Sequence, residues 1–429
     1  MIRPSTDASS TVNRWVIAIA AFFMQLALGA VYAWSVYLKP VTKLYHVTTL
    51  EANLNFSILL LALGITAGFG GYLNNRFGPR VIATVGGILY GLSFILAGFA
   101  APHLSLLYLT YGVIGGIGVG LAYIVPLAIL VKWFPDRRGF ITGLAVAGFG
   151  AGAAITSPLA ANVLLPAFGV SLTFIYLGIV YLLVAVIAAQ FYRQAPEGYI
   201  PPGWTPSVQQ TAARATHDYT LAEALRIPRW YLLWLMLALN VTAGAALISV
   251  ASPLAQKFTA VSAGIASILV ITISIFNGAG RLFWGWVSDF IGRPFTFLTM
   301  FVIQNIVFAL MPSISSFAVL IIPASLIGLC YGGGFGTMPA FTADFFGPKN
   351  AGTIYGAMLT AWSAGGIVGP ILITSFGSSQ SPDYRTPLYI IAVIMLLSCS
   401  LPLIVRALAR RRGDIVEVVA GGTSATSEQ

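Results

Sequence analysis

Arg281 is the one formal charge inside the apolar stretches of this 429-residue chain, in the run Ile271-Thr-Ile-Ser-Ile-Phe-Asn-Gly-Ala-Gly-Arg-Leu-Phe-Trp-Gly285. A guanidinium is planar, stays charged at any physiological pH and offers parallel N–H donors that match the two oxygens of a carboxylate. All 12 acidic residues fall at the ends of apolar stretches, in loops or in tails. The counter-charge for Arg281 therefore comes either from an anion outside the chain or from the edge of the stretch. In the second case the side chain snorkels outward to pair with Asp289 or a lipid phosphate. Asp289 is eight residues on, roughly 12 Å along a helix, which is far for a direct pair. Asn277 stands four residues before Arg281 and on a helix shares its face, so its amide either meets the same ligand or packs between helices.

Other chemistries find no support in the residue types. His46, His103 and His217 are scattered, and Cys330 and Cys399 both lie in apolar runs. Neither a metal cluster nor a disulfide framework is implied, no cofactor is expected, and no nucleophile with a base stands within the apolar stretches. Glycine clusters such as Gly115-Gly-Ile-Gly-Val-Gly120 and Gly332-Gly-Gly-Phe-Gly336 have no strand before them and no Gly-Lys-Ser/Thr after them, so they are not nucleotide loops. Small residues at those places let helices approach closely.

The elements that carry these residues follow from composition. Hydrophobic residues make up 58% and charged residues 8%, against roughly 25% charged in soluble domains. About 20 apolar residues cross a bilayer as a helix, and that window predicts twelve spans. They are residues 14–38, 56–73, 81–101, 104–131, 139–164 and 170–192, then 229–251, 262–287, 295–314, 317–340, 353–376 and 387–409. The first is too long for a signal-peptide core and is read as retained. An all-α membrane protein results. Its expected order is an N-terminal disordered stretch (1–13), a six-helix bundle (14–192), a linker (193–228), a second bundle (229–412) and a disordered tail (413–429). Within the linker, Thr220-Leu-Ala-Glu223 is a capping box, predicting a short helix from Leu221 that Pro228 stops.

The net charge of +10 is not a nucleic-acid footprint, because the basic residues alternate by loop. Seventeen of the 22 lie in one set of loops and tails, whereas Lys39, Lys43, Lys257 and Arg385 lie in the other. Basic loops face the cytoplasm, which places both termini there, in a cell membrane whose lipid is a partner of the chain.

The two halves repeat one another. Gly71-Tyr-Leu-Asn-Asn-Arg-Phe-Gly-Pro-Arg80 follows the second span and Gly285-Trp-Val-Ser-Asp-Phe-Ile-Gly-Arg-Pro294 the eighth. Lys132-Trp-Phe-Pro-Asp-Arg-Arg-Gly139 follows the fourth and Asp344-Phe-Phe-Gly-Pro-Lys-Asn-Ala-Gly352 the tenth. Equivalent loops at equivalent places predict two pseudo-symmetric six-helix bundles. Tyrosines in spans need partners for their hydroxyls, and Tyr32, Tyr123 and Tyr331 fall where matching spans of the two halves face the centre.

The first of these loops resembles the major facilitator motif G-x-L-x-D-R-x-G-x-R, with Asn75 where the motif has Asp. The Lys132–Gly139 loop, together with Gly29-Ala-Val-Tyr-Ala-Trp-Ser-Val-Tyr37 in the first span, is similar to the monocarboxylate transporter and oxalate/formate antiporter branch. That resemblance implies alternating access and a small monocarboxylate such as lactate or pyruvate, bound by Arg281. It also implies a cavity lined by Tyr32, Tyr123, Tyr331, Phe149 and Phe335. Animal members of the branch carry Asp-x-x-x-Arg in helix 8, where the Asp is tied to proton movement; here that position is Asn277. Oxalate exchangers carry a Lys in helix 11, and the matching position is Trp362, so one guanidinium implies one carboxylate. Proton-coupled symport by a monomer is the expectation. The alternatives are exchange of organic anions, as in the oxalate/formate type, and a membrane sensor without transport.

Overall fold

The computed structural model describes residues 13–136, 138–196, 199–201, 218–347, 350–377 and 382–411. The expected terminal stretches, Asn13 apart, and half of the expected linker lie outside these residues. Among the described residues, eleven helices are long and apolar enough to cross a membrane. In chain order they begin with α1 (Arg14–Tyr45), α2 (Thr49–Phe77), α3 (Pro79–Gly98) and α4 (Leu104–Trp133). The next stretch, Gly143–Gln190, has 48 residues. As one helix it would run ~72 Å, more than twice the ~30 Å hydrocarbon core. Gly169 breaks it with φ 69° and ψ −174°, a conformation that glycine adopts without penalty. The stretch is therefore α5 before Gly169 and α6 after it. Then come α7 (Pro228–Thr259), α8 (Ala263–Ile291), α9 (Arg293–Ser313), α10 (Phe317–Phe346), α11 (Ala351–Thr374) and α12 (Arg385–Leu408). Twelve crossings result.

Several helices run past the predicted apolar windows because their ends are fixed by polar caps. Thr48 and Glu51 form a capping box that starts α2 ahead of its window, whereas α8 starts where expected, with the Ser262 hydroxyl accepting from the Ile265 amide. The repeat shows in the turns as well. Gly78 closes α2 with φ 84° and Gly292 closes α8 with φ 83°, and each hands the chain directly to the next helix. One expectation needs correction: the linker helix is a single turn, Leu221–Ala224, held by the Thr220–Glu223 capping box. Pro228 does not stop it but opens α7, since a first-turn proline gives up an N–H that has no helical partner.

α1 to α6 pack together, chiefly α3 on α6 and α4 on α2 and α3; α7 to α12 pack likewise, α8 on α10, α7 on α11 and α9 on α12. The halves meet where α2 lies along α11, α5 along α8 and α1 against α7. At the α5–α8 crossing the backbones touch: a Cβ on Gly150 would stand 2.5 Å from the Gly278 nitrogen. On the face where α1 begins, called here the terminal face, Arg14 pairs with Asp136 at 2.6 Å. Arg293 on the same face pairs with Asp289 at 2.6 Å and with Asp344 at 3.1 Å. The opposite face carries the α1–α2 and α7–α8 turns.

Candidate functional site

Arg281 points from α8 into the interface between the halves and is 2% exposed; Asn277, one turn earlier, is 1% exposed. Its Nε donates to Asn277 Oδ1 at 3.5 Å and its Nη1 to the Tyr123 hydroxyl of α4 at 3.4 Å. Both bonds are at the long limit of the interaction. Aromatic faces also flank the guanidinium: its carbon lies 5.0 Å from the Phe335 ring centre of α10 and 5.6 Å from that of Phe149 in α5, within cation–π range. Asp289 is engaged by Arg293 and Arg281 is buried, so the snorkelling alternative does not describe this side chain.

Two donors at this place have no acceptor among the described residues. Arg281 Nη2 and Asn277 Nδ2 are both buried and find no hydrogen-bond partner. A buried donor left unmade costs about 1–3 kcal/mol, and more when it is charged. An unpaired N–H on a buried cation, with an unpaired amide N–H one helical turn away, has the chemistry to donate to the oxygens of an anion.

Around this point the remaining residues close a ring. Trp362 of α11 donates from Nε1 to the Tyr331 hydroxyl at 3.1 Å, and that hydroxyl lies 3.1 Å from the Tyr32 hydroxyl. Tyr32 sits in a 3₁₀ segment, Gly29–Ala33, in the middle of α1. Trp362 packs edge-on against Tyr123 at 5.4 Å and Phe149 at 5.6 Å, and tilted against Phe335 at 4.5 Å. The structure thus brings Arg281, Asn277, Tyr123, Tyr331, Tyr32, Phe149, Phe335 and Trp362 to one place, from six helices. The space left beside Tyr32, Ile248, Ile273 and Asn277 is about 10 Å³, about what one water needs. Any ligand larger than a water enters only when these rings and their helices move apart.

A supporting layer went unnoticed in the sequence. Asn240 of α7 donates from Nδ2 to the Tyr331 carbonyl at 3.3 Å, and Gln304 of α9 donates from Nε2 to Asn240 Oδ1 at 2.9 Å. Gln25 of α1 donates to the Tyr123 carbonyl at 3.4 Å. An amide inside an apolar span signals a buried partner, but not which helix supplies it. Among the described residues no three His, Cys, Asp or Glu side chains gather in a way that could hold a metal ion.

Comparison with known proteins bears on what such a ring does. The sequence profile of the Major Facilitator Superfamily matches residues 14–257 and 233–421. The chain is 30% identical over 388 residues to the oxalate:formate antiporter of Oxalobacter formigenes, covering 88% of this chain and 90% of that one. It is 26% identical over 453 residues to apicoplast pyruvate carrier 1 of Toxoplasma gondii, covering 82% of each. Among solved structures, a bacterial homolog of the human lysosomal transporter Spinster, in an inward-facing and unoccupied conformation, superposes with a TM-score of 0.67. It covers 95% of this chain and 99% of that one; at 17% identity it bears on the fold alone.

Proposed function

Because this chain belongs to the Major Facilitator Superfamily, in the branch that holds the oxalate:formate antiporter and the monocarboxylate transporters, we propose that it carries small monocarboxylates of the lactate and pyruvate kind across the cell membrane. The observation that carries this reading is the buried Arg281 with its unpaired Nη2 beside the unpaired Nδ2 of Asn277. One cation with free donors suits one carboxylate. A dianion there would keep its second carboxylate buried without a counter-charge, which costs several kcal/mol.

In this reading Arg281 binds the carboxylate. Asn277, Tyr123 and Tyr331 hydrogen-bond the substrate, and Tyr32, Phe149, Phe335 and Trp362 form walls that exclude water. The halves rock about the site in alternating access, with the terminal face toward the cytoplasm and a single chain as the working unit. Symport with protons is the coupling we favour. Exchange of organic anions is the second reading, supported by the 30% identity to the oxalate:formate antiporter.

Counterflow in proteoliposomes with a panel of labelled acids tests the substrate class. Lactate or pyruvate should exchange saturably, and a panel in which no monocarboxylate moves would overturn the reading.

A further inference from the structure

We propose that Asn53 is a latch that holds the halves closed on the face opposite the termini, and that Trp34 ties this latch to the site. Asn53 lies in α2 four residues beyond Thr49, ~6 Å in from that end of the helix, and is 1% exposed. Both hydrogens of its amide cross to the other half. Nδ2 donates to Ser249 Oγ of α7 at 3.1 Å and to the Pro370 carbonyl of α11 at 3.3 Å. Its Oδ1 accepts from Trp34 Nε1 of α1 at 2.9 Å. Ser249's own proton goes to the Ala246 carbonyl at 2.8 Å, which leaves its oxygen to accept from Asn53. One side chain therefore joins α1 and α2 to α7 and α11, and opening this face breaks two of its bonds at once. A second cross-link there, Lys39 Nζ to Gln256 Oε1 at 2.8 Å, is exposed, so water replaces it at little loss.

Trp34 supplies the link inward. It follows directly on the 3₁₀ segment Gly29–Ala33, which contains Tyr32, the α1 residue whose hydroxyl meets Tyr331 across the interface. Site contact and latch contact thus stand two residues apart. A 3₁₀ helix rises ~2.0 Å per residue against ~1.5 Å in an α-helix, so rewinding these five residues shortens α1 by ~2.5 Å and turns Trp34 relative to Asn53. Displacement of Tyr32 by a ligand is thereby felt at the latch. The inference rests on the alternating access of the superfamily and not on the identity of the substrate.

The test is labelling of a cysteine at Ala251→Cys by a hydrophilic maleimide in the full-length purified protein, with the labelling of Cys330 and Cys399 in the unsubstituted chain subtracted. Ala251 is 0% exposed and borders the small space beside Tyr32, so it labels only when the halves part. Asn53→Ala should raise the labelling rate about tenfold, as expected for two hydrogen bonds, and Ser249→Ala by a smaller factor. Thr156→Val cuts a buried bond of 2.9 Å to the Tyr181 hydroxyl within one half and should leave the rate unchanged. If Asn53→Ala does not fold, Ser249→Ala carries the comparison. Labelling at the parent rate in the variants, or an equal rise in Thr156→Val, overturns the latch.

Discussion

The Nη1 of Arg281 lies 3.4 Å from the hydroxyl of Tyr123, and the bond crosses between the halves, from α8 to α4. A ligand that takes hold of this guanidinium therefore touches both halves at once. Tyr123→Phe removes the hydroxyl and keeps the ring that packs on Trp362 and Phe149. A hydrogen bond to a charged group contributes about 1.5–3 kcal/mol, and this one is long, so KM for a transported monocarboxylate should rise about tenfold. Thermal stability should stay near that of the parent. A KM unchanged within twofold would mean that the hydroxyl plays no part in holding Arg281 for the substrate.

Gly150 and Gly278 let α5 and α8 meet backbone to backbone. A Cβ on Gly150 has the Gly278 backbone at 2.5 and 2.6 Å, with no flexible side chain to give way. Gly150→Leu should push the helices apart and lower the transport rate by an order of magnitude or more, while the protein still inserts. Rates equal to the parent in proteoliposomes would show that this crossing tolerates separation.

Charge count sets the expected selectivity. Arg281 is the one cation found at the site, and Trp362 fills the helix 11 position with a neutral ring whose N–H is already engaged by Tyr331. Monoanions such as lactate should compete for uptake, and oxalate or malonate should compete poorly. Trp362→Lys should improve inhibition by oxalate relative to lactate. Saturable oxalate exchange in the parent protein at a rate comparable to lactate would contradict the one-carboxylate reading.

Coupling has its own signature. Asn277 cannot carry a proton, and no carboxylate stands within a predicted span, so a co-transported proton travels with the substrate or through groups at the helix ends. A neighbouring guanidinium favours the charged form of a bound carboxylate. Proton arrival then weakens the pair and promotes release. Uptake into vesicles empty of counter-substrate should accelerate under an inward proton gradient. Uptake that needs an internal anion and ignores pH would make this chain an exchanger.

Much of the site was legible because a polar residue in an apolar span must find its partner inside the protein. Arg281 and Asn277 share a helix face by their spacing of four, whereas Phe149, Phe335 and Trp362 were named through the resemblance to the monocarboxylate branch; all eight lie together in the structure. Spacing says nothing, however, about partners on other helices. Asn53 reaches Pro370, 317 residues away, and Gln304 reaches Asn240, 64 residues away; nothing local distinguishes such amides from ordinary packing. The 3₁₀ segment around Tyr32 was equally hidden, since its residues are as apolar as the helix on either side. Helix ends were misjudged where a polar cap, as at Thr48 and Glu51, carries the helix beyond its apolar window.

The central claim is that Arg281 binds the transported carboxylate, and lactate uptake by purified Arg281→Gln and Arg281→Lys in proteoliposomes tests it most directly. Loss of two charge-assisted bonds should lower uptake by Arg281→Gln roughly 100-fold or more, in a protein that still inserts and folds. Arg281→Lys should also transport poorly, because a point charge cannot form the planar two-bond pair. Uptake by Arg281→Gln at the parent rate would contradict the account.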